Sequence, residues 1–378
     1  MVNTEPSTTL TSSATNYFSY PSVLALIPTT GLATTPRSLA RHHPDSYTMQ
    51  YTASIQQALG SQTILTGTYL GIKGTHLFRR TETNLINPAT GVRPYAALYP
   101  SQIDTKQNEG MSIFHALQLN LNRQFHHGLL LSGNYMFSHA LDDDSVGAGE
   151  SASAENVSCF RCDYANSSFD VRHSGNASIV YDLPFGRNRR FLNHANLLVE
   201  EFAGGWSVDS LLAVRSGLPV DITISRSSSS LPDGNNINQR PDRVPGVSLY
   251  NGKGITTWLN PAAFQFPLPG TFGNLGRNVA VGPNLWQDDS AVEKHFHITE
   301  RNQIIFRAEA FNLFNRAQYG QPNSSLSTGT TATGAPAGTR PALSVPSTFG
   351  QITSPINTAG LVGTGTQRVL EFALRITY

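Results

Sequence analysis

The sequence predicts an all-β protein with an antiparallel sheet, one apolar face and one polar face. Alternation is clearest at the carboxyl terminus, where glutamate, arginine and small residues separate the large apolar residues Leu370, Phe372, Leu374, Ile376 and Tyr378. This period of two indicates a strand between two different environments. Only 13% of the residues are charged, against about 25% in soluble domains. Together with connections of alternating length, these observations favour a membrane-spanning β-barrel over a soluble sandwich.

Composition narrows the class of protein further. The 378 residues have a net charge of +1, so the basic surface of a nucleic-acid-binding protein is missing and we expect no nucleic-acid partner. No apolar run approaches the roughly 18 residues that a transmembrane helix requires. A transmembrane barrel fits these numbers, because alternation disperses its apolar residues along the chain.

The first part of the chain contains two predicted strands. Prolines punctuate residues 1–44, which we expect to be irregular with at most a partial strand. Alternation begins at Tyr47, and a turn at residues 59–61 separates the first strand from a second over 62–73. Residues 45–378 are therefore assigned to the barrel.

The middle of the chain contains the clearest predicted hairpin. Leucines alternate with polar residues over 117–124, and after a short turn apolar residues alternate again over 129–138. One apolar and one polar face are expected on both strands. Further strands are predicted over 169–183, 206–225, 288–297 and 303–315, and the closing strand makes about nine.

The connections between these strands alternate in length. Turns near residues 60, 126 and 299 are short, whereas 74–110, 141–168, 227–287 and 316–366 are long. Short periplasmic turns and long external loops are typical of outer-membrane barrels. The connection 184–204 is the misfit, being long on the short side. We expect 316–340 to be poorly ordered or extended, because its Gly, Thr, Ser and Pro residues provide little apolar surface.

Nine short motifs are spread over residues 45–378. They are YLGIKGTHL (69–77), NYMFSHALDD (134–143), FDVRH (169–173), LPFG (183–186), GW (205–206), SGLP (216–219), LNPAAF (259–264), TFGNLGRN (271–278) and FRAEAFNLFN (306–315). Their order and spacing resemble the carboxyl-terminal half of Oar-like TonB-dependent transporters. The resemblance implies an outer-membrane barrel of about 22 strands with an internal plug, energised through TonB.

The amino terminus differs from that family. It has no secretory signal, plug or TonB-contacting segment, so we expect the chain to be the carboxyl-terminal part of something longer. It then forms an open or incomplete barrel that is inactive alone, and it meets the TonB complex only if a longer or separate chain supplies a plug. The alternative is an outer-membrane or surface protein that binds ligands as an adhesin does, without transport.

Two groups of residues are candidate sites. Arg307, Glu309, Glu371 and Arg375 are expected to face the lumen and to pair across adjacent strands, since a charge on the lipid face costs about 2–4 kcal/mol near the bilayer midplane. The resemblance further implies that Phe372, Leu374, Ile376 and Tyr378 form an address for the β-barrel assembly machinery. An exposed strand edge can pair with a partner sheet, and the alternate side chains then fix the register.

Other polar residues have weaker functional interpretations. His295 and His297 share a strand face, but they lack further metal ligands at a supporting spacing. Asp142, Asp143 and Asp144 lack the ligand order of a known calcium loop. Cys159 and Cys162 favour a small structural disulfide in an external loop.

No catalytic arrangement is visible, so we expect no enzyme, metal or cofactor. The expected partners are lipid and the assembly machinery, and the expected location is the outer membrane of a Gram-negative-type bacterium.

Overall fold

The structure is a computed structural model that describes residues 2–3, 37–145, 154–187, 189–194, 196–297, 302–331, 333–356 and 367–377. Its largest element is a sheet in which nine long strands pair antiparallel with their neighbours in the chain. These strands are β1 (Tyr47–Ala58), β2 (Thr63–Thr83), β3 (Ile103–His126), β4 (Leu129–Asp142), β5 (His173–Asp182), β6 (Trp206–Arg215), β7 (Leu285–His297), β8 (Gln303–Phe311) and β9 (Val369–Thr377). The predicted all-β, antiparallel class and the number of principal strands are confirmed.

Register places the alternating apolar residues on one face of the sheet, called the outer face below. Ile304, Phe306 and Ala308 of β8 lie opposite Ile376, Leu374 and Phe372 of β9. The large side chains of β9 on this face are 57–70% exposed. No layer of described residues covers them, which is the condition for contact with lipid.

The sheet is open. Among the described residues, β1 pairs only with β2, and β9 pairs only with β8. Every residue of β1 is exposed, including Ile55. The described chain therefore forms an incomplete barrel with two free strand edges, which offer unpaired backbone groups.

The second and third strands extend far beyond their predicted length. The prediction of an irregular segment over 74–110 is wrong, because β2 and β3 remain paired from Thr63–Arg123 to Thr83–Ile103. A register shift near Leu77, beside His76 with a φ of 53°, marks a bulge. Only the tip of this hairpin, 84–102, lacks regular structure.

The long connections fold together into a layer, called the loop layer below. It comprises the described residues of 84–102, 143–172, 216–284 and 312–356. Its short strands are Ala165–Asn166, Pro219–Val220, Thr223–Ile224, Asp242–Arg243, Tyr250–Gly254, Thr257–Leu259, Phe264–Gln265, Ala280–Val281, Ser325–Thr330 and Ala342–Ser344. Single 3-10 turns are formed by Phe160–Asp163, Ser228–Ser230 and Pro261–Ala263.

A hydrophobic core lies inside the loop layer. Ile222, Leu259 and Leu326 are almost fully buried in it. The strand Ser325–Thr330 pairs with both Thr223–Ile224 and Ala342–Ser344. Within 316–340, which the sequence predicts to be poorly ordered or extended, Ser325–Thr330 is an extended strand, and its Leu326 is buried in this core.

The opposite end of the sheet has shorter connections. One of them contains the helix α1 (Leu197–Ala203), where the Asn196 side chain accepts a hydrogen bond from the Val199 amide at 2.9 Å. No helix among the described residues is long and apolar enough to cross a membrane. Near the amino terminus, Val2–Asn3 and Arg37–Leu39 pair with each other, and residues 4–36 lie outside the described residues.

Candidate functional site

The face of the sheet opposite the apolar one is polar, and we call it the inner face. Asn134 of β4 donates a hydrogen bond to Asn120 of β3 at 2.6 Å, and Ser132 donates to Asn122 at 2.9 Å. Such side chains require water or a polar partner. The two faces therefore meet two different environments, as in a transmembrane barrel.

A charge cluster lies on the inner face of β6, β7 and β8. The Arg307 guanidinium contacts Asp209 at 2.7 Å, Glu293 at 3.4 Å and Glu309 at 2.5 Å. The alternation of three neighbouring strands directs these side chains to one face, and the register places them at one level. Three carboxylates around one guanidinium leave two negative charges in excess.

A recess of about 330 Å³ adjoins this cluster. Ser178, Leu211 and Phe311 line it together with Arg307 and Glu309. The charged groups are partly exposed, so water reaches them and their charges are hydrated. The arrangement can hold a cationic or hydrogen-bond-donating group that enters the lumen.

Two of the four predicted lumen charges lie in this cluster, and two do not. Arg307 and Glu309 lie in it, but Glu371 is opposite Glu309 and Arg375 is opposite Ile305. Neither Glu371 nor Arg375 forms an ion pair with a described residue.

The cross-strand ion pairs of Arg307 run toward β6 and β7 and not toward the last strand. The residue opposite Arg307 is Ala373, so its guanidinium turns toward carboxylates on the other side. Asp209 and Glu293 were missed, because their alternation gives their face but not their register with Arg307.

The predicted assembly residues lie on the outer face of the last strand. Phe372 stacks on the ring of Phe306 with 6.3 Å between ring centres, while Leu374 and Ile376 are exposed. Tyr378 lies outside the described residues. This geometry leaves the free edge of β9 and its apolar side chains open to a partner.

Aromatic residues form a row on the outer face near the long connections. The Tyr69 hydroxyl lies 2.9 Å from His115 Nδ1, and the Tyr135 hydroxyl lies 2.8 Å from His173 Nδ1. Rings with an apolar body and a polar edge are typical of a membrane–water interface. The row marks the boundary of the apolar band at the end of the sheet that has the long connections.

Buried arginines hold the loop layer together. Arg240 contacts Glu155 at 2.7 Å and also pairs with Asp163, and all three side chains are buried. Burial raises the pKa of Glu155 to about 7, although Arg240 opposes this effect. Two carboxylates share one guanidinium, so protonation of one of them relieves the excess charge.

Two of the three consecutive aspartates also pair with arginines. Asp142 pairs with Arg277, and Asp143 lies 3.2 Å from Arg79. Burial raises the pKa of Asp144 to about 7. Asp142 and Asp143 therefore stabilise the loop base by neutralising buried arginines.

Residues of several sequence motifs form hydrogen bonds that hold this layer together. Arg277 donates to the Asp163 carbonyl at 2.9 Å, and the Asn278 side chain donates to the Asn166 carbonyl at 2.6 Å. Asp170 accepts from the Ala140 amide at 2.7 Å. These contacts explain why polar motifs occur where the chain leaves the sheet.

The remaining candidates from the sequence are the cysteine pair and the possible metal ligands. Cys159 and Cys162 form a disulfide. The described residues contain no group of three or more His, Cys, Asp or Glu that could hold a metal ion. His295 donates its amide to the Gly205 carbonyl at 2.9 Å, and the side chain of His297 lies outside the described residues.

The sequence and the structure of the chain are similar to those of known outer-membrane proteins. The sequence profile of the family described as "Outer membrane beta barrel domain" matches residues 1–370. The outer membrane transporter YddB from Escherichia coli is structurally similar, with 10% identity, a TM-score of 0.42, and coverage of 90% of this chain and 34% of the transporter. The chain thus spans about a third of that transporter's length. No curated protein matches the sequence.

Proposed function

The chain belongs to the outer membrane β-barrel domain family, and from this premise we propose that it forms part of the barrel wall of an Oar-like, TonB-dependent transporter or receptor. An outer-membrane location follows from the family. TonB dependence is our proposal, and the motifs over residues 45–378 support it.

The observation that carries the proposal is the acidic cluster around Arg307. It lies on the inner face, where two negative charges remain in excess. A solid apolar core would not tolerate them. They fit a wide lumen that holds water or a polar plug, and a plug with basic side chains would complement them.

The proposal assigns a role to each surface. The outer face contacts lipid, and the loop layer receives the ligand outside the cell. A plug from a longer or separate chain occupies the lumen and contacts TonB. The assembly machinery recognises the last strand through Phe372, Leu374 and Ile376, together with Tyr378. No step requires covalent chemistry, so we propose no enzymatic activity.

Photo-crosslinking in cells tests this proposal. A photo-crosslinking amino acid replaces Ser178 on the inner face, beside the recess. In a matched variant it replaces Val292, which lies on the outer face opposite Ala308. The gene is expressed in its native host with all adjoining coding sequence, and crosslinked peptides are identified by mass spectrometry.

The two candidate functions give different results. For a transporter, Ser178 crosslinks to a folded plug domain, Val292 crosslinks to lipid, and the periplasmic domain of TonB copurifies with the protein. For an adhesin-like binder without transport, Ser178 captures no plug and TonB does not copurify. The second result would overturn the proposal.

A further inference from the structure

One connection on the side of the short turns has a structure of its own. Residues 183–205, called the rim segment below, join β5 to β6 and contain the helix α1. The other connections on this side, 59–62, 127–128 and 298–302, are only a few residues long. A few residues are enough to join two antiparallel neighbours, so the contacts of the additional residues indicate what they do.

The rim segment is attached at the outer face of the sheet. Trp206 begins β6 on the row that continues through Lys294 and Phe306. Its indole N–H donates to the Phe202 carbonyl of α1 at 2.8 Å. The Lys294 ammonium donates to the Gly204 carbonyl, 5.6 Å from the centre of the Trp206 ring. The end of α1 therefore lies where the apolar band reaches its boundary.

The helix exposes an apolar face at this boundary. Leu198 is 73% exposed and Phe202 is 81% exposed. Residues four apart lie on one face of a helix. Val199 adds to this face, whereas Glu200 turns inward to accept from the Arg187 amide at 2.7 Å. The helix thus presents large apolar side chains beside a surface that already meets lipid.

The first half of the rim segment forms a basic recess with the end of β5 and the turn before β4. It has a volume of about 650 Å³ and is lined by Tyr181, Arg189, Arg190 and Phe191, among others. Arg189 lies 3.2 Å from Asp182, and Arg190 stacks on Phe191 with its guanidinium 5.4 Å from the ring centre. Two guanidiniums against one carboxylate leave positive charge in excess.

We propose that the rim segment is an interfacial anchor that binds an anionic phospholipid on the periplasmic side of the membrane. Arg189 and Arg190 bind the headgroup phosphate, and Leu198 and Phe202 insert beside the acyl chains. Continuity with the lipid-facing row through Trp206 and Lys294 identifies lipid as the occupant. The excess positive charge of Arg189 and Arg190 favours a lipid with an anionic headgroup. The proposal concerns lipid binding and does not depend on transport.

Lipid titration of the full chain tests this anchor. The folded protein in detergent is titrated with phosphatidylglycerol or with phosphatidylcholine, and bound lipid is counted by native mass spectrometry. Each basic residue near an anionic surface strengthens binding about fivefold, so phosphatidylglycerol should bind about 25-fold more tightly. The double variant R189Q/R190Q should lose this preference.

Matched variants separate the anchor from general effects. R41Q/R161Q removes two exposed arginines on the side of the long loops and should keep the preference. F202S should weaken the binding of both lipids, whereas F169S, at another exposed phenylalanine, should not. Equal affinity of the wild-type chain for the two lipids would overturn the proposal without any variant. An equal loss in R41Q/R161Q would also overturn it.

Discussion

Removal of the Arg240 guanidinium should open the loop layer. In Arg240→Leu, Glu155 and Asp163 lose the cation that they share, and both carboxylates remain buried. The Leu275 carbonyl also loses its 3.0 Å donor. Breaking a buried ion pair by removing one partner costs about 3–5 kcal/mol. We therefore expect a loss near this range, reduced at low pH because the carboxylates can take up protons.

Hydrogen exchange in lipid nanodiscs measures this loss. Peptides that contain Ile222, Leu259 and Leu326 report on the core of the loop layer. A cost of 3–5 kcal/mol accelerates their exchange by about two to four orders of magnitude. Strand peptides of the membrane sheet should exchange as in the wild type, because the opening is local.

A second arginine of the same layer provides the control. Arg340 lies 2.6 Å from Asp242, but about a third of its side chain is exposed. Ion pairs of this kind contribute about 0–1 kcal/mol, so Arg340→Leu should accelerate exchange less than about tenfold. If the two variants accelerate exchange equally, the shared buried guanidinium does not hold the layer together.

Three further results are expected. Phe372→Lys should destabilise the vesicle-inserted protein by about 2–4 kcal/mol in urea titrations and Ala373→Lys by much less, because only the first places a charge in lipid; equal costs would contradict this assignment of faces. Burial raises the pKa of Glu155 from 4.5 to about 7, so its stabilising contribution is complete below about pH 4.5 and is lost as the pH rises through about 7. The amides of the loop-layer core should therefore be better protected from exchange at pH 5 than at pH 8, and Glu155→Gln should reduce this difference. Behind an export signal, deletion of Tyr378 should reduce protease-resistant, inserted protein far more than Tyr51→Ala, and equal losses would refute an assembly role for the last residue.

Alternation predicted the membrane-spanning strands because lipid imposes a period of two. It failed where the strands leave the membrane. Arg79, Thr81 and Glu82 continue β2 with polar side chains that the loop layer buries. The partner of Arg79 is Asp143, which comes from a distant segment of the chain. A local pattern contains no information about this partner.

In the candidate site, too, local alternation predicted only some of the residues. The pattern placed Arg307 and Glu309 on the lumen face, but Asp209 and Glu293 required the register of three strands. In the loop layer, the core residues Ile222 and Leu326 are more than a hundred positions apart in the sequence. Only the tertiary fold brings them into one core.

Spin labels along β9 show whether the outer face of the sheet meets lipid. The two native cysteines form a disulfide, so single cysteines can be introduced from Leu370 to Ile376 and labelled in vesicles. We predict oxygen collisions at Leu370, Phe372, Leu374 and Ile376, and collisions with a polar nickel reagent at the positions between. A profile without this period of two, or with the opposite phase, would contradict the account.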